Sequence, residues 1–304
     1  MRILITGSSG LIGTNLVKRL EKEHTIIHAS RREGVDLRDY ASVKELFAST
    51  KPEIVYHLAA NSSEARGQIS PVDMTQRNLG IFVNVLAEAI NTKVKRFIYT
   101  SSVAVYGEAN VPYMEDGPTI PKDVYGVNKL AAEQILKIMA KVYGFEYVIF
   151  RPHNIYGPGQ NMNDPTKNVV ALFMRLLMEG KPYKLYGEGK MCRAFSYVGD
   201  VVDVFVEALE PRFANKTMNV GAEHHISIKE LSDMIQEITG IQGTPEMLPG
   251  RKQEISMFLA DHTLQNTLIK YRNTPLKTGL QTTWEWVKKK GFGQLEVHPN
   301  EICL

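Results

Sequence analysis

The chain opens Met1-Arg2-Ile3-Leu4-Ile5-Thr6-Gly7-Ser8-Ser9-Gly10-Leu11-Ile12-Gly13, an apolar run broken by a glycine turn. It then restarts with Leu11, Asn15 and Lys18, and with Ile12, Leu16 and Leu20, at helical spacing. An apolar run this short, stopped by Thr6-Gly7, has the length of a buried strand, whereas the periodicity over Leu11–Glu21 predicts a helix. Strand, turn, helix is the opening unit, and the following sequence repeats it. Thr25–Ala29 reads as a second strand, Ser42–Ser49 as a helix beyond the Asp36-Leu37 turn, and Ile54–Leu58 as a third strand preceded by Pro52. A helix expected over Asn78–Ile90 leads to a strand at Arg96–Thr100, and one over Tyr125–Tyr143 leads to a strand at Phe145–Arg151. Alternation of this kind implies an α/β fold with a doubly wound parallel sheet, because parallel neighbours need a crossover and a helix supplies it.

Beyond Arg151 the period loosens into Pro- and Gly-rich connections, a helix over Val169–Met178 and a turn region over Tyr183–Gly189. A helix over Val201–Leu209 and a strand at Met218–Val220 would return to the sheet, leaving Ile228–Thr239 and the last 60 residues for a smaller, mixed lobe. The expected division is 1–165 plus 191–221 for the sheet domain and 166–190 plus 222–304 for the C-terminal lobe. There is no internal repeat and no low-complexity segment.

Composition narrows the partners. The 304 residues are 43% apolar and 23% charged, as in ordinary globular proteins, and 36 basic against 33 acidic side chains leave a net charge of +3. Without a dense Lys/Arg block, neither a nucleic-acid footprint nor a polybasic membrane anchor is expected, while small anionic ligands remain open. Cys192 and Cys303 provide neither a disulfide framework nor a metal-ligand spacing, and His224-His225 lacks a third ligand, so no metal is expected. The first apolar run is too short for a signal peptide, no stretch approaches the ~18 apolar residues of a membrane span, and Cys303 is misplaced for prenylation. A soluble, cytoplasmic protein is the expectation.

Gly7, Gly10 and Gly13 form a G-x-x-G-x-x-G turn between strand and helix. Glycines there permit a sharp turn, let a pyrophosphate reach main-chain N–H groups at a helix N-terminus, and let the helix pack on the strand. With Leu11 and Ile12 they point to a dinucleotide. An acid at the end of the second strand would hold the ribose 2'-hydroxyl of NAD, whereas arginine suits the 2'-phosphate of NADP. Here the strand ends Ala29-Ser30-Arg31-Arg32, which favours NADP, with Asp36 and Leu37 flanking the adenine.

Tyr125 and Lys129 lie four residues apart, on one face of the expected helix. A nearby ammonium and a cationic nicotinamide both favour phenolate, drawing a tyrosine from about 10 toward neutrality, where it can serve as general base and acid. Upstream, Thr100-Ser101-Ser102 puts hydroxyls at the C-terminal edge of a parallel strand, where ligands bind in such sheets. His57, in a buried-looking strand, reads as a core group, Cys192 as a plain small side chain, and Trp284 and Trp286 as one packed and one partly exposed.

At these residues the chain resembles the extended short-chain dehydrogenase/reductase family, in its nucleotide-sugar epimerase and dehydratase branch, over nearly its whole length. The resemblance rests on TGSSGLIG (6–13), HLAA (57–60), Asn78 before Leu79-Gly80, TSSVAVYG (100–107), YGVNKLAAE (125–133), RPHNIYGPGQ (151–160), RAFSYVGDVV (193–202) and NVG (219–221). It implies a Rossmann-type sheet, with Ser102, Tyr125 and Lys129 as catalytic triad and Leu58, Ala59, Ala60 and Asn78 beside the cofactor. It further implies that Asn154, Arg193 and Arg251 contact the diphosphate of a nucleoside-diphosphate sugar, and that Phe258 lines the pocket beside the sugar's C2 substituent. Branch members that dehydrate or decarboxylate carry acids just after the catalytic hydroxyl, where this chain has Val103 and Ala104, and those that epimerise C3 and C5 carry a cysteine in place of Val103. The resemblance therefore implies 4-epimerisation of a UDP-hexose through a 4-keto intermediate, as in UDP-glucose 4-epimerase-like members, which favours NAD. The alternative is an NADPH-dependent 4-keto-sugar-nucleotide reductase, favoured by Arg31 and Arg32. A homodimer is expected.

Overall fold

The computed structural model describes residues 1–62, 67, 69–162, 168–250 and 258–290; Arg251 and the expected boundary at 165/166 lie outside them. Six strands form one parallel sheet: β1 (Arg2–Thr6), β2 (Thr25–Ala29), β3 (Ile54–His57), β4 (Arg96–Thr100), β5 (Glu146–Pro152) and β6 (Lys216–Val220). Their spatial order is β2-β1-β3-β4-β5-β6, so the chain runs outward from β1 in one direction, then reverses across it. The expected doubly wound Rossmann-type sheet is the one observed.

The alternation of side chains along β1 explains the layering. Ile3 and Ile5 join a core with helices α1 (Leu11–Leu20) and a later helix, Val198–Glu207, while Leu4 points into the opposite core with Val43, Phe47, Phe82 and Leu136. That second core is roofed by α2 (Tyr40–Thr50), α3 (Ile81–Asn91) and α4 (Val124–Tyr143). Both faces are covered, as the near-continuous apolar strands require. Register places Thr6 beside Ala29 and His57, His57 beside Tyr99, and Thr100 beside Phe150, so the C-terminal strand ends form one rim. A third core, built from Tyr156, Phe173, Tyr183, Leu231, Leu280 and Trp284, belongs to the C-terminal elements.

Several elements differ from their sequence reading. The helix expected over Asn78–Ile90 begins earlier, with Pro71–Thr75 and a π turn at Gln76–Gly80 leading into α3. Tyr183–Gly189 is not a turn throughout: Tyr183–Tyr186 is a strand paired in parallel with Pro245–Leu248, followed by a 3-10 turn at Gly187–Gly189. Tyr183 and Leu185 are buried and Lys184 is exposed, the period of a half-buried strand, but its partner lies some sixty residues away. His57 is a core group, as read: burial holds its pKa down at about 3, Nδ1 is 3.1 Å from Thr6 Oγ1, and the ring stacks near Phe97 and Tyr99. Trp284 is buried and Trp286 half-buried.

One buried ion pair ties α4 to the sheet. Arg151 on β5 and Glu133 on α4 are 2.6 Å apart, with side chains 3% and 1% exposed. Arg151 Nε also donates to Glu133 at 2.9 Å, Nη1 donates to the Tyr106 hydroxyl at 2.8 Å and the Glu115 carbonyl at 3.1 Å, and Ser101 Oγ donates to Glu133. Burial works against the guanidinium's charge, but its bonds to Glu133 outweigh that and hold it protonated. Removing one partner of such a pair leaves an uncompensated buried charge. Arg151→Met should therefore cost roughly 3 to 5 kcal/mol of unfolding free energy in denaturant titrations, and Arg151→Met with Glu133→Leu should cost less than the single change. A loss below about 1 kcal/mol for the single variant would show that the pair does not brace the sheet.

Candidate active site

The glycine turn is held from both sides. Gly7 N donates to the Ala29 carbonyl at 2.8 Å, Gly10 N donates to Gly7 O at 2.9 Å, and Thr6 Oγ1 accepts from Ala59 N at 3.2 Å. Gly7 adopts a left-handed φ of 68°, and a Cβ on Gly13 would stand 2.2 Å from Gly7 O, so neither position admits a side chain. Gly10 is the N-cap of α1 and contributes no side-chain cap, which leaves N–H groups of Leu11, Ile12 and Gly13 directed at the turn. Leu58, Ala59 and Ala60 follow β3 beside it, half-buried. Asn78 shapes that loop: its Oδ1 accepts from Asn61 N at 2.9 Å, and its Nδ2 donates to Asn61 O at 3.1 Å. The π turn delivers the side chain there.

At the end of β2, Arg31 and Arg32 form an exposed 3-10 turn with Glu33. Asp36 chelates Arg38, at 2.9 and 2.6 Å, and this bond pulls its carboxyl down to about 2; Leu37 is buried against the sheet. Two hydroxyls that sequence reasoning missed stand out. Ser8 Oγ in the glycine turn and Ser30 Oγ at the end of β2 are buried without a hydrogen-bond partner among the described residues. Buried hydroxyls are normally paired, so a cradle that excludes Cβ atoms, lined by free donors, fits a dinucleotide: Gly7 to Gly13 would hold the pyrophosphate, Ser30 with Arg31 the ribose end. The signal was local, but only burial distinguishes these serines from others.

The second group gathers where β4 ends. Ser102 caps a 3-10 turn at Val103–Val105, its Oγ accepting from Ala104 N at 3.2 Å. Gly126 brings α4 onto this turn, since a Cβ there would lie 2.6 Å from Ala104 O, and the Tyr125 ring packs with Ala104 and Met74. Lys129 is 3% exposed; its Nζ donates to the Thr100 carbonyl at 2.6 Å and lies 4.9 Å from the Tyr99 ring centroid and 5.7 Å from that of Tyr125. The structure thus brings Ser102, Tyr125 and Lys129 to one rim position. Asn154, at a left-handed φ of 39°, donates to Ala194 O at 2.9 Å. Arg193 lies over the Phe258 ring at 4.8 Å. Neither His225, whose Nε2 donates to Phe258 O at 2.6 Å, nor any other His, Cys, Asp or Glu group among the described residues forms a metal site.

Burial pulls the Lys129 pKa from 10.5 down to about 7, with the Glu133 carboxylate opposing. Between those values the unfolded chain binds a proton at this lysine that the folded protein does not, so the group favours folding increasingly as pH rises. In cofactor-free protein, the melting temperature of wild type relative to Lys129→Met should climb from pH 7 toward about pH 9. A difference that stays flat or falls in that window would dismiss the burial-driven shift.

A glycine turn between strand and helix, with a Ser, Tyr and Lys at the adjoining strand end, fits a nicotinamide-dependent enzyme of Rossmann type. The chain belongs to the NAD dependent epimerase/dehydratase family, whose model matches residues 3–221. It is 31% identical to a UDP-glucose 4-epimerase of Mycolicibacterium smegmatis, covering 95% of this chain and 99% of that one. Among solved structures it is similar to UDP-glucose 4-epimerase of Thermotoga maritima with UDP-glucose, at TM-score 0.88 and 28% identity over 95% of this chain and 99% of that one. It is also similar to the Thermus thermophilus UDP-glucose 4-epimerase complex with NAD, at TM-score 0.85 and 27% identity over 95% and 99% of the two chains. No helix among the described residues is long and apolar enough to cross a membrane.

Proposed function

We propose that the protein is a nucleotide-sugar 4-epimerase acting on a UDP-hexose. The observation that carries this reading is the buried Lys129 side chain, its Nζ between the Thr100 carbonyl and the Tyr125 ring. Near pH 7, where burial leaves Lys129 partly protonated, its charge favours phenolate at Tyr125 more than it would in water. The bound nicotinamide supplies reversible hydride exchange with a ring carbon. Tyr125 takes the proton of the C4 hydroxyl as that carbon is oxidised, and returns it when the 4-keto sugar is reduced on its other face. Ser102 donates a hydrogen bond to the same oxygen and orients it. Asn154, Arg193 and Arg251 hold the diphosphate about which the keto sugar turns; fork contacts to phosphate suit the two guanidinium groups. Val103 and Ala104, 8% and 6% exposed, have no proton to move, which argues against elimination or decarboxylation.

Tyr125→Phe keeps the ring and removes the titrating oxygen. Cofactor binding should persist while interconversion of UDP-glucose and UDP-galactose falls by 10² or more, about the share that general acid–base catalysis supplies. Turnover like that of wild type would exclude Tyr125 from the reaction.

A second reading, an NADPH-dependent reductase of a 4-keto sugar nucleotide, is favoured by Ser30, Arg31 and Arg32 standing where an acid would read the ribose of NAD. Titrating each cofactor and following net NADPH consumption separates the two. Arg31→Ala with Arg32→Ala should weaken NADP more than NAD, since only NADP presents a 2'-phosphate. Equal losses, with no net NADPH consumption, would favour the epimerase.

A further inference from the structure

A column of stacked groups connects the buried ion pair beneath the site to the arginine above it. Arg151 lies over the Tyr106 ring at 4.8 Å, and Tyr106 stacks on Tyr113 with centroids 4.7 Å apart and planes within 6°. Tyr113 meets Phe258 edge-on at 6.0 Å, and Phe258 carries Arg193 on its face at 4.8 Å. Tyr113 is 2% exposed, its hydroxyl donates to the Gly107 carbonyl at 3.2 Å, and its backbone zips to the segment bearing Phe258. In that zip, Tyr113 N donates to Leu259 O at 2.7 Å and Asp261 N donates to Tyr113 O at 3.0 Å. Asn219, at the end of the central sheet, clamps the same segment by donating to Tyr113 O at 2.9 Å and Asp261 O at 3.0 Å.

We infer that Tyr113 is a positioning residue for the nucleoside diphosphate: through Phe258 it fixes the direction of the Arg193 guanidinium. A guanidinium ends a flexible side chain; beside the Nη1 bond to the Cys192 carbonyl at 2.8 Å, the cation–π platform narrows its orientations before ligand arrives. Phe258 is held on its backbone side by His225 and on its ring edge by Tyr113, so without the latter the platform can tilt. Tyr113 touches no reacting atom, and its effect belongs in ligand affinity, not in the chemical step. This inference rests on Arg193 binding the diphosphate.

The test measures UDP and uridine binding by calorimetry to cofactor-loaded full-length protein, for Tyr113→Leu, Tyr113→Phe, Arg193→Met and the Leu/Met double variant. Arg193→Met should weaken UDP by about tenfold or more and leave uridine unchanged. Tyr113→Leu should weaken UDP roughly three- to tenfold, the range a partly buried cation–π contact spans, with uridine unchanged and kcat at saturating substrate within about twofold. Tyr113→Phe should match wild type, and adding Tyr113→Leu to Arg193→Met should weaken UDP no further. Should Tyr113→Leu not fold, Phe258→Leu should reproduce its loss of UDP affinity with uridine unchanged. Equal loss of UDP and uridine, additive losses in the double variant, or an unchanged UDP affinity beside a weakened Arg193→Met would overturn the positioning role. An unchanged affinity in Arg193→Met itself would instead remove the diphosphate reading of the site, and this inference with it.

Discussion

The site depends on the Glu133–Arg151 ion pair. Both groups are almost without solvent contact, so each charge is tolerable only because the other is 2.6 Å away and further hydrogen bonds complete the set. Glu133 is one helical turn beyond Lys129 and two beyond Tyr125, and its carboxylate also receives Ser101, next to Ser102. The pair therefore fixes the rotation of α4 about its axis relative to the end of β4. Rotation of α4 by a single residue would carry Tyr125 off the rim and leave two charges buried apart. The pair's value lies in specifying that one arrangement, since its net contribution to stability is offset by desolvation.

The same arginine reaches upward through Tyr106, which donates to Asn219 at 2.7 Å, and Asn219 in turn grips Tyr113 and Asp261. Polar and aromatic contacts thus run without interruption from the sheet into the C-terminal elements. Burial raises the Tyr106 hydroxyl to about 12, against the opposing charge of Arg151, so it stays protonated and keeps both bonds.

Lys129 shows what burial does to a charge beside a phenol. In water a lysine beside a tyrosine is a weak electrostatic partner; at 3% exposure the same charge acts through a medium that screens it little. Burial alone would discharge it, and Glu133 on the next turn opposes that. Glu133 thus acts on two buried cations, pairing with Arg151 and opposing the loss of charge at Lys129.

The local sequence was sufficient for the alternating elements, the glycine turn and the Tyr125/Lys129 face, because each is written in a short-range period: two for strands, 3.6 for helices, three for the glycines. It was insufficient for the π turn that aims Asn78 at Asn61, for the strand Tyr183–Tyr186 and for the buried Ser8 and Ser30 hydroxyls. Arg193 and Phe258 carried an expected role each, yet nothing in their 65-residue separation announced that one ring would carry the other's charge. These features depend on which residues distant in the chain become neighbours and on which polar atoms lose water when they do. Periodicity reports the geometry of a segment with itself, whereas burial and long-range pairing are properties of the packed whole, so only the tertiary structure decided them.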